Sequence, residues 1–169
     1  MIIVRSFERS IVRSSDFSCG ELELDLWLKN YAGQHEKRGT TRTLLALDER
    51  EACVAGYVAM TAFHLEPAEG AAALATAGRY PVPAMLIARL AVHSVYQGAG
   101  VGRLLLIEAL QRLEPTSYDV GFEVVVVHAL HESAACFYLK HGFRRTVDNP
   151  LMLFMTTRDL RATFAVHPD

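Results

Sequence analysis

The stretch Gln97-Gly98-Ala99-Gly100-Val101-Gly102 separates two segments of different periodicity. Residues 84–92 before it form an apolar run of strand length, and residues 101–113 after it repeat apolar side chains at helical spacing. A strand that enters a helix through glycines predicts an anion site, because first-turn N–H groups lack intrahelical partners and the helix dipole is positive there. Glycine also permits positive φ and close approach of a ligand to the backbone. We therefore expect a phosphate-bearing ligand here.

The composition is that of a globular protein, with 51% hydrophobic and 21% charged residues in a chain of 169. We expect one domain spanning residues 1–169, without a transmembrane helix, since no apolar run is long enough to cross a bilayer. The net charge of −2 excludes bulk attraction to nucleic acid but is compatible with a local basic patch. Cys19, Cys53 and Cys136 form no CxxC pair, which predicts reduced thiols. With no signal peptide expected either, we predict a soluble, cytoplasmic protein.

The N-terminal part begins with a short strand predicted at residues 2–4. Ser18-Cys19-Gly20-Glu21 has the pattern of a helix capping box. The apolar spacing that follows predicts an amphipathic helix over residues 21–36, in which Trp27 is expected to lie in the core.

Residues 43–48 and 53–65 predict two strands joined in a hairpin by the charged turn at 48–51. Gly56, inside the second strand, marks either a bulge or a place where another backbone comes close. Residues 66–83 contain several prolines and glycines, and we expect a long connection with at most a helical turn.

The second half of the chain alternates strands and helices. Residues 84–92 predict a central strand, and the helix from residue 101 is expected to close at Pro115. Residues 122–128 are apolar on both faces and follow a whole helix, which predicts a buried parallel strand.

The C-terminal part predicts a helix over residues 132–141, which ends at Gly142 with Phe143 as the hydrophobic residue after the cap. Residues 143–145 and 151–155 should form the final hairpin. The resulting fold class is α/β, with a mostly antiparallel sheet and one parallel crossover at the glycine stretch.

Two common phosphate motifs do not fit the glycine stretch. The P-loop needs a lysine and a hydroxyl residue after its last glycine, where Arg103 and Leu104 stand. The dinucleotide motif needs a different glycine spacing and an acid at the carboxyl end of the next strand, whereas Glu123 lies at the amino end.

A third motif fits. Gln97-x-x-Gly100-x-Gly102 resembles the Gln/Arg-x-x-Gly-x-Gly/Ala motif of the GCN5-related N-acetyltransferases (GNAT). A second motif of that family, A-x-x-x-Y-x-x-x-G-F, is similar to a later segment that contains Ala134, Tyr138, Gly142 and Phe143. The resemblance implies the GNAT fold, a mixed and mostly antiparallel sheet with a splayed central parallel strand pair and flanking helices.

The resemblance also implies that acetyl-CoA is the acetyl donor. The pyrophosphate would rest on the backbone N–H groups of Gln97, Gly98, Ala99, Gly100, Val101, Gly102 and Arg103. The pantetheine would pair, like an added strand, with the backbone of Leu90, Ala91 and Val92. The Arg103 side chain either adds a charge to a phosphate or is simply solvated.

Tyr138 is the candidate catalytic residue. When an amine attacks the thioester, CoA leaves as a thiolate, and a positioned phenol with a pKa near ~10 is a suitable proton donor at neutral pH. The alternative is a tyrosine that only packs on the sheet. Many members of the family that this chain resembles have an asparagine seven residues earlier, which contacts pantetheine. This chain has His131 at that position, so the resemblance does not extend to that contact.

No dedicated general base is evident. The candidates near the ends of the central strands are His93, His128, His131 and Glu132. An acceptor α-amine with a pKa of about 8 would need none, because part of it is neutral at pH 7. The three histidines at 128, 131 and 141 lack a carboxylate or cysteine at ligand spacing, so we predict no metal.

The chain further resembles the acetyltransferase toxins of bacterial toxin–antitoxin pairs. The segments that carry this likeness are Phe17-x-Cys19-Gly20, Leu24-x-x-Trp27-Leu28, Arg38-Gly39-Thr40-Thr41-Arg42-Thr43, Pro81-Val82-Pro83 and Leu151-Met152-Leu153. It implies acetylation of the α-amino group of aminoacyl-tRNA, which blocks translation, a ribbon-helix-helix antitoxin as partner, and a homodimer. Candidate tRNA contacts are Lys29, Lys37, Arg38, Arg42 and Arg89.

Two other functions remain open. One is a GNAT transferase for a small amine or a protein N-terminus. The other is a non-catalytic, acyl-CoA-binding regulatory module, against which the presence of Tyr138 argues. The sequence leaves open which aminoacyl-tRNAs are used and which surfaces bind the second subunit and the antitoxin.

Overall fold

The computed structural model describes residues 1–74 and 78–165, which form a mixed sheet with flanking helices. The strands are β1 (Ile2–Ser6), β2 (Arg42–Asp48), β3 (Cys53–Leu65), β4 (Val82–Val92), β5 (Val124–His128), β6 (Arg144–Arg145) and β7 (Met152–Thr156). The helices are α1 (Arg9–Ser14), α2 (Leu22–Asn30), α3 (Ala32–Arg38), α4 (Pro67–Leu74), α5 (Val101–Asp119), α6 (Glu132–Lys140) and α7 (Thr157–Phe164). A 3-10 turn at Ser94–Tyr96 links β4 to the glycine stretch.

The strands are hydrogen-bonded in the order β1-β2-β3-β4-β5-β7-β6. β4 and β5 are parallel, whereas the pairs β1/β2, β2/β3, β5/β7 and β6/β7 are antiparallel. This confirms the predicted sheet with one parallel crossover. The chain has two compact units, residues 1–61 with 88–110 and residues 62–87 with 111 onward, so β3, β4 and α5 each contribute to both.

The core of the first unit lies around Trp27, as predicted. Trp27 is 6% exposed and stacks on Tyr57, with ring centroids 5.8 Å apart. The Tyr57 hydroxyl donates a hydrogen bond to the carbonyl of Leu24 at 2.7 Å, so the buried phenol is satisfied. These contacts fix α2 on the antiparallel strands.

Gly56 lies beside a register shift and at a close backbone approach. Ala46 pairs with Gly56 and Leu47 pairs with Val54, so the irregularity in the ladder lies at Ala55, next to Gly56. A Cβ at Gly56 would lie 2.8 Å from the carbonyl oxygen of Ala91 on β4. The missing side chain therefore lets the end of β4 approach β3 closely.

The single helix predicted over residues 21–36 is wrong. The chain leaves helical geometry at Tyr31 (φ −120°, ψ −32°), which separates α2 from α3. Gly33 lowers helix propensity just beyond the break. The change of direction allows Ala32 to join the same core as Trp27 and Leu28, so burial outweighs helix continuity.

The predicted capping box at Ser18 is also wrong. α2 begins after Glu21, whose side chain makes no capping hydrogen bond. The Cys19 N–H instead donates a hydrogen bond to the carboxylate of Asp25 at 2.9 Å. Because Asp25 lies within α2, this contact holds the segment that leads into the helix. Helix α1, which the sequence analysis did not predict, buries Val12 in the same core.

In the second unit, β5 is the buried strand that the sequence predicts. Ala84 to Ile87 of β4 pair in parallel with Val124 to Val127, and β7 pairs antiparallel with β5. Both faces of β5 are covered, since the residues from Val124 to Val127 are at most 1% exposed.

Pro115 does not close α5, contrary to expectation. The helix continues to Asp119 with the proline inside it. The hydroxyl of Thr116 donates to the carbonyl of Arg112 at 2.8 Å and that of Ser117 to the carbonyl of Glu114 at 2.6 Å. These side-chain donors supply hydrogen bonds in the turn that the proline weakens.

The connection between β3 and β4 contains α4, which is longer than the single helical turn that was expected. Residues 75–77 of this connection lie outside the described residues. The hairpin of β6 and β7 and the end of α6 before Gly142 are as predicted. α7 was not predicted; its N-cap is Thr156, whose hydroxyl accepts from the Asp159 N–H.

The three cysteines are unpaired, as predicted. Burial, together with a hydrogen bond to Asp25, raises the pKa of the Cys19 thiol to about 11, so it stays protonated and unreactive at neutral pH. Within the described ranges, no helix has the length and apolar character required to cross a membrane.

Candidate functional site

The glycine stretch forms a tight turn between β4 and α5. Gly98 has φ +80° and Gly100 has φ +86°, a left-handed conformation that strongly favours glycine. A Cβ at either position would meet no atom within 4 Å. Glycine is therefore required here for the path of the backbone, and the space beside that backbone is open.

This path leaves several backbone donors available. In residues 1–74 and 78–165, no hydrogen-bond partner is found for the N–H groups of Gly98, Gly100, Val101, Gly102 and Arg103. The N–H of Ala99 is different, because it donates to the carbonyl of Tyr96 at 3.3 Å. Grouped N–H donors at the start of a 19-residue helix have the chemistry that an anion site requires, and the anion site itself stays a prediction.

The Gln97 side chain has a structural role that the sequence analysis missed. Its Nε2 donates to the carbonyl of Cys19 at 2.9 Å and to that of Val92 at 3.0 Å. The side chain thus ties the start of the glycine stretch to the end of β4 and to the segment before α2.

The other predicted donor-binding residues flank this turn. Leu90, Ala91 and Val92 are the last residues of β4; Ala91 is buried and the other two are half-buried. Arg103 is exposed in the first turn of α5.

Tyr138 lies on the buried side of α6, in the second unit. It is 7% exposed and packs edge-on against Phe137 and Phe143, with centroid distances of 5.2 and 5.5 Å. Burial raises the pKa of its phenol well above the usual value. The side chain both packs, as in the structural alternative, and stays protonated, as an acid must.

Most of the candidate bases have structural roles. His93 caps the 3-10 turn by accepting from the Val95 N–H at 3.1 Å, and His131 caps α6 by accepting from the Ala134 N–H at 3.2 Å. Glu132 is paired with Arg145, which lowers the pKa of this carboxyl group. His128 is exposed and contacts the edge of Phe63.

His131 replaces the asparagine of many family members, and its capping role gives a physical reason for a polar side chain at this position. In the part of the chain that the structure describes, no group of three or more His, Cys, Asp and Glu side chains is arranged to hold a metal ion.

The five predicted tRNA contacts all belong to the first unit. Lys29 at the end of α2 and the pair Lys37-Arg38 at the end of α3 are exposed. Arg42 is paired with the carboxylate of Glu36 at 3.0 Å, which partly neutralises it. Arg89 is half-buried, with its guanidinium 4.5 Å from the centre of the Trp27 ring.

A protein-family model and a known protein both match this chain. Residues 39–145 match the model of the acetyltransferase (GNAT) domain. A Mycobacterium tuberculosis protein named tRNA-acetylating toxin is 32% identical over 148 residues, which are 88% of each chain.

Two solved structures have the same fold. The first is a mutant of the toxin AtaT bound to the C-terminus of the antitoxin AtaR and acetyl-CoA; its TM-score is 0.80 at 24% identity, covering 98% of this chain and 99% of that one. The second is AtaT complexed with acetyl-methionyl-tRNAfMet; its TM-score is 0.82 at 24% identity, covering 98% of this chain and 100% of that one.

Proposed function

This chain belongs to the GNAT acetyltransferase family, and on that premise we propose that it transfers the acetyl group of acetyl-CoA to the α-amino group of an aminoacyl-tRNA. The observation that carries the donor half of the proposal is the nest of N–H groups at Gly98 and Gly100–Arg103, for which the described residues provide no hydrogen-bond partner. A diphosphate suits this nest, because it offers several anionic oxygens to donors that are already aligned.

The donor is held mainly by backbone. The N–H groups of the glycine stretch donate hydrogen bonds to the pyrophosphate oxygens, and the exposed Arg103 side chain can add a positive charge. The backbone of Leu90, Ala91 and Val92 pairs with the amides of pantetheine as an added strand would. Acetyl-CoA brings the activated acetyl group, and this chain supplies the groups that bind it and the proton donor for the leaving group.

Tyr138 supplies the proton for the leaving group. The neutral α-amine attacks the thioester carbonyl, a C–N bond forms, and the C–S bond breaks as the tetrahedral adduct collapses. The sulfur leaves with the electron pair of that bond and takes the phenolic proton of Tyr138, which later regains a proton from solvent. The amine gives its extra proton to water, and no side chain is required as a base because an α-amine of pKa about 8 is partly neutral at pH 7.

The assignment of the acceptor rests on the relative and on the charges. The M. tuberculosis protein that is 32% identical is named for tRNA acetylation. The exposed Lys29, Lys37 and Arg38 can contact phosphates, and with a net charge of −2 such local contacts would have to provide the attraction. Arg89 is fixed on Trp27 and offers a guanidinium close to the end of β4, while Arg42 would first have to release Glu36.

The biological setting follows from this reaction. An acetylated aminoacyl-tRNA can no longer use its amine for peptide bond formation, so the enzyme would act as a toxin that blocks translation in the cytoplasm. We expect a ribbon-helix-helix antitoxin that neutralises it, encoded beside it, and a homodimeric enzyme. The solved complex of AtaT with part of the antitoxin AtaR supports such a pairing for this fold.

The proposed acceptor is tested by offering the enzyme several classes of acceptor side by side. Purified protein is incubated with acetyl-CoA and aminoacylated total tRNA, and N-acetyl-aminoacyl-adenosine is measured by mass spectrometry after nuclease digestion. Uncharged tRNA, polyamines and peptides with free N-termini are the matched alternatives. Acetylation of charged tRNA is expected; acetylation of polyamines or peptides alone would refute the acceptor, and acetyl-CoA binding without transfer to any acceptor would favour a regulatory module.

A further inference from the structure

The hydroxyl of Tyr96 connects the glycine stretch to a distant part of the first unit. Tyr96 is the last residue of the 3-10 turn, directly before Gln97. Its hydroxyl donates to Oδ2 of Asp48 at 2.8 Å and lies 3.3 Å from Sγ of Cys53. Asp48 and Cys53 are the two ends of the β2–β3 hairpin turn, 48 and 43 residues away in sequence. No local pattern in the sequence signals this contact.

The acceptor of this hydrogen bond is itself held in place. Oδ1 of Asp48 accepts from the Arg50 N–H at 3.0 Å, and the N-terminal ammonium lies 3.9 Å from the same oxygen. The hydrogen bond from Tyr96 lowers the pKa of the Asp48 carboxyl group, and the contacts with Cys53 and Asp48 raise the pKa of the phenol. At neutral pH the pair is therefore a protonated phenol on a carboxylate, a charge-assisted hydrogen bond.

The backbone of the same residue shapes the start of the turn. The Tyr96 N–H donates to the His93 carbonyl at 2.8 Å, and the Tyr96 carbonyl accepts from the Ala99 N–H at 3.3 Å. Beyond it, Gly98 and Gly100 have left-handed φ values and no side chains to hold them. A fixed Tyr96 therefore restricts a segment that its two glycines would otherwise leave free to adopt many conformations.

We propose that Tyr96 is a positioning residue, which holds the glycine stretch in its anion-binding conformation before the ligand arrives. Order that exists before binding lowers the entropic cost of binding. The ligand is acetyl-CoA, so the inference rests on the proposed function for the identity of the ligand. The phenol itself touches Asp48 and Cys53, and it acts on the ligand only through the backbone.

The direct test is Tyr96→Phe, which removes one oxygen and retains the ring. We expect acetyl-CoA to bind about 5- to 20-fold more weakly by calorimetry, as one charge-assisted hydrogen bond that orders the site is lost. KM for acetyl-CoA should rise by a similar factor, while kcat at saturating acetyl-CoA and KM for the acceptor stay unchanged. A general loss of stability would not produce this split. The matched control is Tyr118→Phe, since the Tyr118 side chain is 65% exposed, and it should bind like the wild type.

A double-mutant cycle tests the partner. Asp48→Ala should weaken acetyl-CoA binding, and the double variant with Tyr96→Phe should bind no more weakly than the weaker single variant, because both remove the same contact. In the ligand-free protein, amide hydrogen exchange at Ala99 and Leu104 should be faster in Tyr96→Phe than in the wild type.

The outcomes separate the two claims. If wild type binds acetyl-CoA and Tyr96→Phe binds it within twofold with unchanged exchange, the positioning role is wrong and the proposed function is untouched. Additive effects in the cycle would likewise overturn the link to Asp48. If wild type does not bind acetyl-CoA, both this inference and the donor assignment are wrong.

Discussion

The glycine stretch at residues 97–102 and the segment around Tyr138 differ in exposure and in the kind of polar group that they present. The stretch is largely exposed, its useful groups are backbone N–H donors, and polar side chains such as Gln97 and Tyr96 anchor it. Tyr138 is buried among aromatic rings, and its useful group is one side-chain oxygen. In the proposed reaction, one region would bind the donor through its backbone, and the other would act through a single proton.

The difference decides what a mutation does in each region. In the glycine stretch, a new side chain at a glycine changes the backbone path or blocks the ligand, so binding should fail. At Tyr138, removal of the hydroxyl leaves the packing of the ring against Phe143 in place, so turnover should fail while donor binding remains. Substitutions in the glycine stretch should therefore raise the Kd for acetyl-CoA, and removal of the Tyr138 hydroxyl should lower kcat.

Gly100→Glu should have the largest effect on binding. Position 100 has φ +86°, which costs a non-glycine residue about 1–2 kcal/mol, and a carboxylate would also repel the pyrophosphate. We expect acetyl-CoA binding to weaken by more than about 100-fold in calorimetry. Gly100→Ala, which has the backbone cost without the charge, should lose about tenfold or less.

The control for this pair is Gly121→Glu, which places the same side chain at an exposed glycine outside the left-handed region. It should bind acetyl-CoA like the wild type. Retention of binding by Gly100→Glu would mean that the glycine stretch does not contact the donor.

The pH dependence tests the state of Tyr138. Because burial raises the pKa of its phenol above the usual value, the acid stays protonated over the whole range in which the acceptor amine titrates. kcat/KM for the acceptor should rise about 40-fold from pH 6 to pH 8 as an amine of pKa near 7.8 loses its proton. It should then rise by less than about twofold and stay level between about pH 9 and pH 10. A fall with an apparent pKa between 8 and 10 would point to an acid with an ordinary pKa.

Gln97→Leu should have a smaller effect. It removes the two hydrogen bonds that tie the glycine stretch to Cys19 and Val92, while the N–H donors of the stretch remain. We expect acetyl-CoA to bind about 3- to 10-fold more weakly. Gln97→Arg, the other residue of the family motif, retains donors for both carbonyls and should bind nearly as well as the wild type. Equal affinities for all three proteins would show that this anchor is unimportant.

Much of the fold could be read from the sequence because the deciding patterns are local. The four consecutive valines of β5 predict a buried parallel strand, and Gly142 followed by Phe143 predicts a helix end; both are found. The motif with Gln97 predicts the turn between β4 and α5 for the same reason. Local periodicity and glycine chemistry are visible without knowledge of the partners.

The errors have two kinds of cause. The break at Tyr31 goes with the burial of Ala32 in the tertiary core. The continuation of α5 past Pro115 depends on local hydroxyl donors beside the proline, which the rule that proline ends a helix ignores. The anchors of the glycine stretch join residues far apart, as Tyr96 and Asp48 do, so no window of the sequence contains both partners. The role of Tyr138 and the single-domain organisation remain predictions.

The central claim, that donor binding and proton donation belong to different regions, is tested most directly by Tyr138→Phe. Acetyl-CoA affinity and kcat with the preferred acceptor are measured on the same preparation. We predict a Kd within about twofold of the wild type and a kcat lower by about 100-fold or more, the usual contribution of a general acid. An unchanged kcat would contradict the acid role of Tyr138, and a parallel loss of donor affinity would contradict the division between the two regions.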